Sequence, residues 1–195
     1  MKILQKFEEM AEGKSRSIGI GVGTSEFHNR KILLAILNFL EEHSSKIYIF
    51  GREESLNYIG EQITSKHKSN IFLIHSEVPE NEIFRLLLNN TINCVIRGSL
   101  SSSKFLENLK KQLKTDLINR LALLETVDGH QFFYGPVGID ECNNVEEKIE
   151  FLENAIKELK LLNIKPNISV LSGGRLGDVG RDKNIDLSIK IGKKT

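Results

Sequence analysis

The sequence predicts an α/β protein, a doubly wound parallel sheet followed by a second, mixed α/β subdomain. Three observations predict it. Short β-branched runs alternate with helical stretches four times before Lys114. Beyond that point two short runs flank Asp128-Gly129, the turn signal of an antiparallel hairpin. A long amphipathic stretch then leads into one more apolar run and a loop rich in glycine and arginine. The boundary is expected near Thr115, with residues 1–115 as the parallel domain and 116–195 as the second, incomplete one.

In order, residues 2–12 read as a helix, with Ile3, Leu4, Phe7 and Met10 at helical spacing and Gly13 as the stop. Ser17–Gly23 reads as a strand with glycine at alternate positions. His28–His43 reads as a helix whose apolar face carries Ile32, Leu33, Ile36, Leu37 and Leu40. Strands are expected at Lys46–Phe50, Asn70–His75 and Thr91–Ile96. The helices between and after them run from GREES to about Ser65, from Pro79 to Asn89 and from about Lys104 to Lys114. Pro79 suits a first helical position, where its missing N–H does no harm. Asn119–Val127 and Gln131–Tyr134 form the expected hairpin. Val145–Asn163 is expected as a helix striped by Ile149, Leu152, Ile156, Leu159 and Leu162. Asn167–Leu171 has the look of a buried strand, and a last short helix begins at Asp182, a residue suited to an N-cap.

Composition excludes several classes. The chain has 195 residues, of which 39% are hydrophobic and 27% charged, enough for a core and too polar for a membrane span. Its net charge of +1 gives no global field toward nucleic acid or a membrane surface. Cys94 and Cys142 are the only cysteines, so neither a disulfide framework nor a zinc ribbon is available. Cys94, in an apolar run, is expected in the core, and Cys142, in a polar turn, at the surface. The N-terminus lacks a signal-peptide apolar region, and the protein is expected in the cytoplasm.

Three stretches invite a chemical reading. Gly19, Gly21 and Gly23 suggest a dinucleotide fingerprint, but the third glycine falls out of register and no acid follows the next strand. Close packing of strand against helix is the favoured reading. RGSLSSS, residues 97–103, places Arg97 and Gly98 at a strand end and Ser101, Ser102 and Ser103 at a helix start. Ligands of doubly wound sheets bind at strand carboxyl ends, and hydroxyls with free helix N–H groups suit phosphate. Plain N-capping by serine is the other reading. The loop after Leu171 carries Gly173, Gly174, Arg175, Asp178 and Arg181 ahead of a helix start. It reads either as an anion site or as a loop whose Arg and Asp satisfy one another. The histidines His28, His43, His67, His75 and His130 lack metal-ligand spacing and read as surface or turn residues, with His75 alone at a strand end. Glu125, Asp128, Asp140 and Glu141 read as solvated carboxylates. No metal and no cofactor is expected, and no catalytic residue is assigned.

Taken together, IRGSLSSSKFL (96–106), RLALLETVDGHQFFYGPVGIDECN (120–143) and ISVLSGGRLGDVGR (168–181) carry a family resemblance. The chain resembles the archaeal, methanogenesis-marker family Mtx subunit X, named as a methyltransferase subunit. That family is similar to phosphate acetyl- and butyryltransferases and to phosphate acyltransferases. The resemblance implies an isocitrate-dehydrogenase-like fold of two domains around a cleft, commonly dimeric. It also implies a further C-terminal segment, which this chain, ending at Thr195, is expected to lack. It implies a methanogenesis-linked, transferase-like protein that holds an acyl phosphate or coenzyme A ester in that cleft. Arg97, Gly98, Ser101, Ser102, Gly173, Gly174, Arg175, Asp178 and Arg181 would form the phosphate site. The alternative is a non-catalytic partner or regulatory subunit of a methyltransferase system.

Overall fold

The strand β2 (Lys46–Gly51) shows how the sheet is built. Successive side chains of a strand point to opposite faces. Ile47 and Ile49 therefore enter one apolar cluster, with Ile20, Val22, Leu33, Ile36, Leu56 and Ile59. Phe50 and Tyr48 enter another, with Ile83, Phe84, Leu86 and Ile92. One sheet lies between the two clusters, covered on one face by the helices α2 (Glu26–Glu42) and α3 (Glu53–Gly60). The helices α4 (Pro79–Leu88) and α5 (Ser102–Leu113) cover the other. The coordinates are a computed structural model that describes residues 2–138 and 141–194.

The sheet is wholly parallel, with β3 (Ile71–His75), β2, β1 (Ser17–Gly21) and β4 (Cys94–Ile96) in that spatial order. The alternate glycines of β1 have a steric cause. A Cβ on Gly19 would lie 2.5 Å from Ile92 Cδ1 and 3.2 Å from Ile83 Cγ1. Gly21 would meet Leu100 Cδ1 at 2.1 Å. The α4 side of the sheet is thus packed onto bare backbone, as the close-packing reading expects.

The chain folds as two compact units, Ile3–Asp116, which includes α1 (Ile3–Ala11), and Leu117 onward. The second unit contains an antiparallel pair, β5 (Ala122–Glu125) and β6 (Gln131–Tyr134), in which Leu123 faces Phe133. The expected turn closes them, with Gly129 at φ +77° and its N–H on the Thr126 carbonyl at 2.9 Å. The helix α6 (Val145–Leu161) starts at Asn144, whose side chain accepts from the Glu147 N–H at 2.8 Å. The helix α7 (Lys183–Lys194) starts after Asp182, which accepts from the Asn184 N–H at 2.8 Å, the cap expected there.

Several expectations are corrected. No strand forms over Asn167–Leu171: that run is irregular, with Leu171 83% exposed. A strand needs a ladder partner, and among the described residues β5 and β6 pair only with each other. Cys94 is exposed because β4 is an edge strand of the sheet. Cys142 is buried, and desolvation together with Glu141 and Glu147 pushes its thiol pKa upward. Glu141 is buried and ion-paired with Arg120 rather than solvated. Asp140 lies outside the described residues. His67 is buried rather than at the surface, with Nε2 3.2 Å from Glu41 Oε1. Of the α6 stripe only Leu159 is buried; Phe151 joins it, and Ile149 is exposed. No helix among the described residues is long and apolar enough to cross a membrane.

Candidate functional site

The strand order has one switch point. From β1 the chain winds outward through β2 and β3, then returns to the other side of β1 for β4. At such a point the loops leaving neighbouring strands diverge and open a crevice beyond their carboxyl ends. A cavity of about 330 Å³ lies there, within the first unit. Its polar wall is made by Thr24, Arg52, Ser55, Glu80, Ser101 and Lys104.

Part-buried hydrogen bonds fix the rim. Asn29, 1% exposed on α2, donates from Nδ2 to the Gly23 carbonyl at 2.7 Å. Ser55 Oγ donates to the same carbonyl at 2.8 Å. Ser99 Oγ accepts from the Gly23 N–H at 2.8 Å. The loops after β1 and β4 are thereby held together. Gly23 must be glycine for this, since a Cβ there would lie 2.5 Å from the Ser99 carbonyl oxygen.

Three of the helix starts at this crevice share a property. The first N–H groups of a helix lack intrahelical partners and are normally capped by a side chain. Ser25, Asn144 and Asp182 do this for α2, α6 and α7. The helices α3, α4 and α5 have no side-chain cap bond at their N-caps Arg52, Val78 and Ser101. All three of these uncapped starts contribute lining: Arg52, then Pro79 and Glu80, then Ser101. Ser101, a good capping residue, instead lies with its hydroxyl 3.1 Å from that of Ser103. Uncapped N–H groups and the positive ends of helix dipoles make such a place an anion receptor. Arg52 and Lys104 add two formal charges. Arg52 is braced, its Nε donating to the Glu77 carbonyl at 3.2 Å.

The residues singled out from sequence fall in two separate units. In the first, Arg97 turns its guanidinium onto the Leu100 carbonyl and lies outside the cavity lining. Gly98, at φ +59°, sits where a Cβ would be 2.0 Å from the Gly21 carbonyl oxygen. Ser101 lines the cavity; Ser102 begins α5 without lining it. In the second unit, Gly173 donates its N–H to Ser188 Oγ at 2.5 Å, and the Gly174 carbonyl accepts from Ser172 Oγ at 2.5 Å. Arg175 and Asp178 bracket a 3-10 turn in which Asp178 Oδ2 accepts from the Arg175 N–H at 3.1 Å. Arg181 donates to Asp178 Oδ1 at 2.6 Å. Arg175 is exposed, and its guanidinium takes no part in the pair that Arg181 makes with Asp178.

Sequence reasoning missed Asn29, Arg52, Ser55, Glu80 and Lys104. One signal was present: Arg52 directly follows the end of β2, as Arg97 follows β4. The same logic of strand carboxyl ends reaches both.

The fold and crevice describe an α/β protein with a polar pocket at its topological switch point, and the similar proteins are archaeal ones bearing methyltransferase names. Over 98% of its length the chain is homologous to the protein named "Putative methyltransferase mtx subunit X" of Methanosarcina mazei, at 32% identity, covering 64% of that protein. The Methanosarcina barkeri protein of the same name matches 85% of the chain, also at 32% identity, and 58% of its own length is covered. An uncharacterized methyltransferase of Methanocaldococcus jannaschii is 39% identical over 53% of the chain and 44% of itself. The resemblance to Mtx subunit X is therefore borne out. The chain spans between about half and two thirds of the length of these relatives. No family model matches.

Proposed function

We propose that the chain serves a methanogenesis-linked methyltransferase system and binds a phosphate-bearing ligand, an acyl phosphate or coenzyme A ester, in the switch-point crevice. The observation that carries this is the meeting of three uncapped helix starts with Arg52 and Lys104 in one cavity. Each feature favours an anion, and all of them line the same cavity. In this reading Ser101 is a direct ligand, while Arg97 and Gly98 shape the loop that presents it. Arg175 is a separate anion contact of the second unit. A transferase built on such a site would act by positioning and by stabilising developing charge.

The test is a thermal melt with inorganic phosphate, acetyl phosphate and coenzyme A. Selective binding to the folded state raises Tm, so one of these ligands is expected to raise it by several degrees. Arg52→Ala with Lys104→Ala is expected to cancel that rise. A cooperative melt that none of the three ligands moves would overturn the reading.

A second reading, a non-catalytic partner subunit, has its own support. Relatives carry the word "subunit" in their names. The second unit also exposes Leu171, Leu176 and Val179, at 83%, 68% and 58%. It predicts a stable complex with a methyltransferase polypeptide and no turnover of small molecules.

A further inference from the structure

The sheet is covered unevenly at β4. In the register of β1 with β4, Ile18 stands beside Cys94 and Ile20 beside Ile96. All four side chains therefore point to the face that α2 and α3 cover. Val95 points the other way, into the cluster under α4 and α5. On the α2 face Ile20 is buried, whereas Cys94 and Ile96, one strand further out, are exposed. A cavity of about 310 Å³ opens there, between α2 and β4. Ile18, Ile20, Ile32, Ala35, Phe39 and Ile96 line it, and every side chain on its wall is apolar. The outer edge of β4 has no ladder partner among the described residues. Strands of a parallel sheet are normally covered on both faces, and an open edge is a template for another strand. An open edge, a bare face and an apolar groove thus coincide at one place.

Their chemistry fits polypeptide. A strand satisfies the edge, and a helix with one apolar side fills the groove beside α2. The relatives carry sequence of the required length: 64% of the Methanosarcina mazei protein is covered by this chain, and the remaining third has no counterpart here. We propose that the α2–β4 face is an interaction surface for a strand and an amphipathic helix, and that its occupant is the part of the M. mazei relative that this chain does not span. The strand extends the sheet beyond β4, and the helix lays its apolar side on Ile32, Ala35, Phe39 and Ile96. A polar surface finds no partner on this wall. The surface stands whether or not the crevice binds an anion.

The test adds that part of the M. mazei protein, as a separate polypeptide, to the full chain and follows maleimide labelling, located by peptide mapping. Cys94 reports on the face, and the buried Cys142 is the control. Labelling of Cys94 is expected to slow about tenfold or more, since a paired and covered strand reacts only when it opens. Should the mixture show no protection, a fusion that joins the two parts in the order the relative has them decides. Ala35→Glu sets a carboxylate at an exposed helix position in the groove. It is expected to abolish the protection while leaving the chain folded. Complex formation that leaves Cys94 labelling unchanged would overturn the proposal. Unchanged labelling in the fusion would do the same, as would protection that survives Ala35→Glu. Protection of Cys94 in the chain alone, rising with its concentration, would also overturn it and assign the face to a second copy.

Discussion

The Ser99 hydroxyl donates to Asn29 Oδ1 at 2.6 Å across a sequence separation of 70 residues. This bond ties the loop after β4 to the first helix of the sheet, and both partners serve Gly23 as well. Asn29→Ala would deprive the half-buried Ser99 hydroxyl of its acceptor and remove one of the two donors to the Gly23 carbonyl. A loss of about 2–3 kcal/mol in urea unfolding is expected. The anion affinity of the crevice is expected to fall with it, because the rim loses its brace.

Arg52 and Arg175 can be set against each other. Arg52→Ala is expected to weaken binding of inorganic phosphate about ten- to a hundredfold, the worth of one charged hydrogen bond. Calorimetric titration of the two single variants reports which unit carries the tighter contact. A large loss in Arg175→Ala with none in Arg52→Ala would move the principal site to the glycine–arginine loop.

Gly98→Ala meets two obstacles, the positive φ and a carbonyl oxygen 2.0 Å from the new Cβ. Backbone must shift on both sides of the switch point. A destabilisation of at least about 2 kcal/mol is expected from chemical denaturation.

The ion pair between Arg120 and Glu141 stands in the second unit, with the Glu141 side chain 4% exposed. Arg120→Ala removes the main partner of a buried carboxylate and is expected to cost about 2–3 kcal/mol. Glu141→Gln should cost less, since it removes the buried charge along with the pair.

The acid limb of stability has a named contributor. Hydrogen bonding and charge from Lys66 hold the Glu41 carboxyl below its ordinary value, assisted by His67. A lowered folded pKa contributes stability above the unfolded value, and that contribution is lost as pH falls through the folded one. Glu41→Gln should therefore flatten the Tm profile below about pH 4. The effect is small, because the pair is solvent-exposed.

How much of this was legible depended on whether the signal was local. The first four strands and the hairpin turn follow from runs of residue type, so β1 to β4 and Gly129 were readable within a few positions. The alternate glycines of β1 were readable as close packing because a glycine in a strand has few other uses. Strand order was not readable. It is that order that makes β4 an edge and exposes Cys94, against the expectation drawn from its apolar neighbours. Asn167–Leu171 has strand composition without a strand partner, and composition does not report partners. The candidate site was half legible. Ser101 and the strand-end principle were in view, whereas Asn29 and Glu80 looked like ordinary polar residues on helices. Their burial comes from the neighbours that the folded sheet brings over them.

The bare starts of α3, α4 and α5 set thermostability against ligand affinity. A serine, aspartate or asparagine whose side chain caps a helix adds about 1 kcal/mol. Val78→Ser and Arg52→Asp are therefore the substitutions that selection for heat resistance alone would favour. Each would place a side-chain oxygen on the first N–H groups of its helix, and a carboxylate at the Arg52 position would repel phosphate outright. Lineages that have kept these positions free of capping side chains would mark where the crevice is still in use, and lineages that have filled them would mark where it has been abandoned.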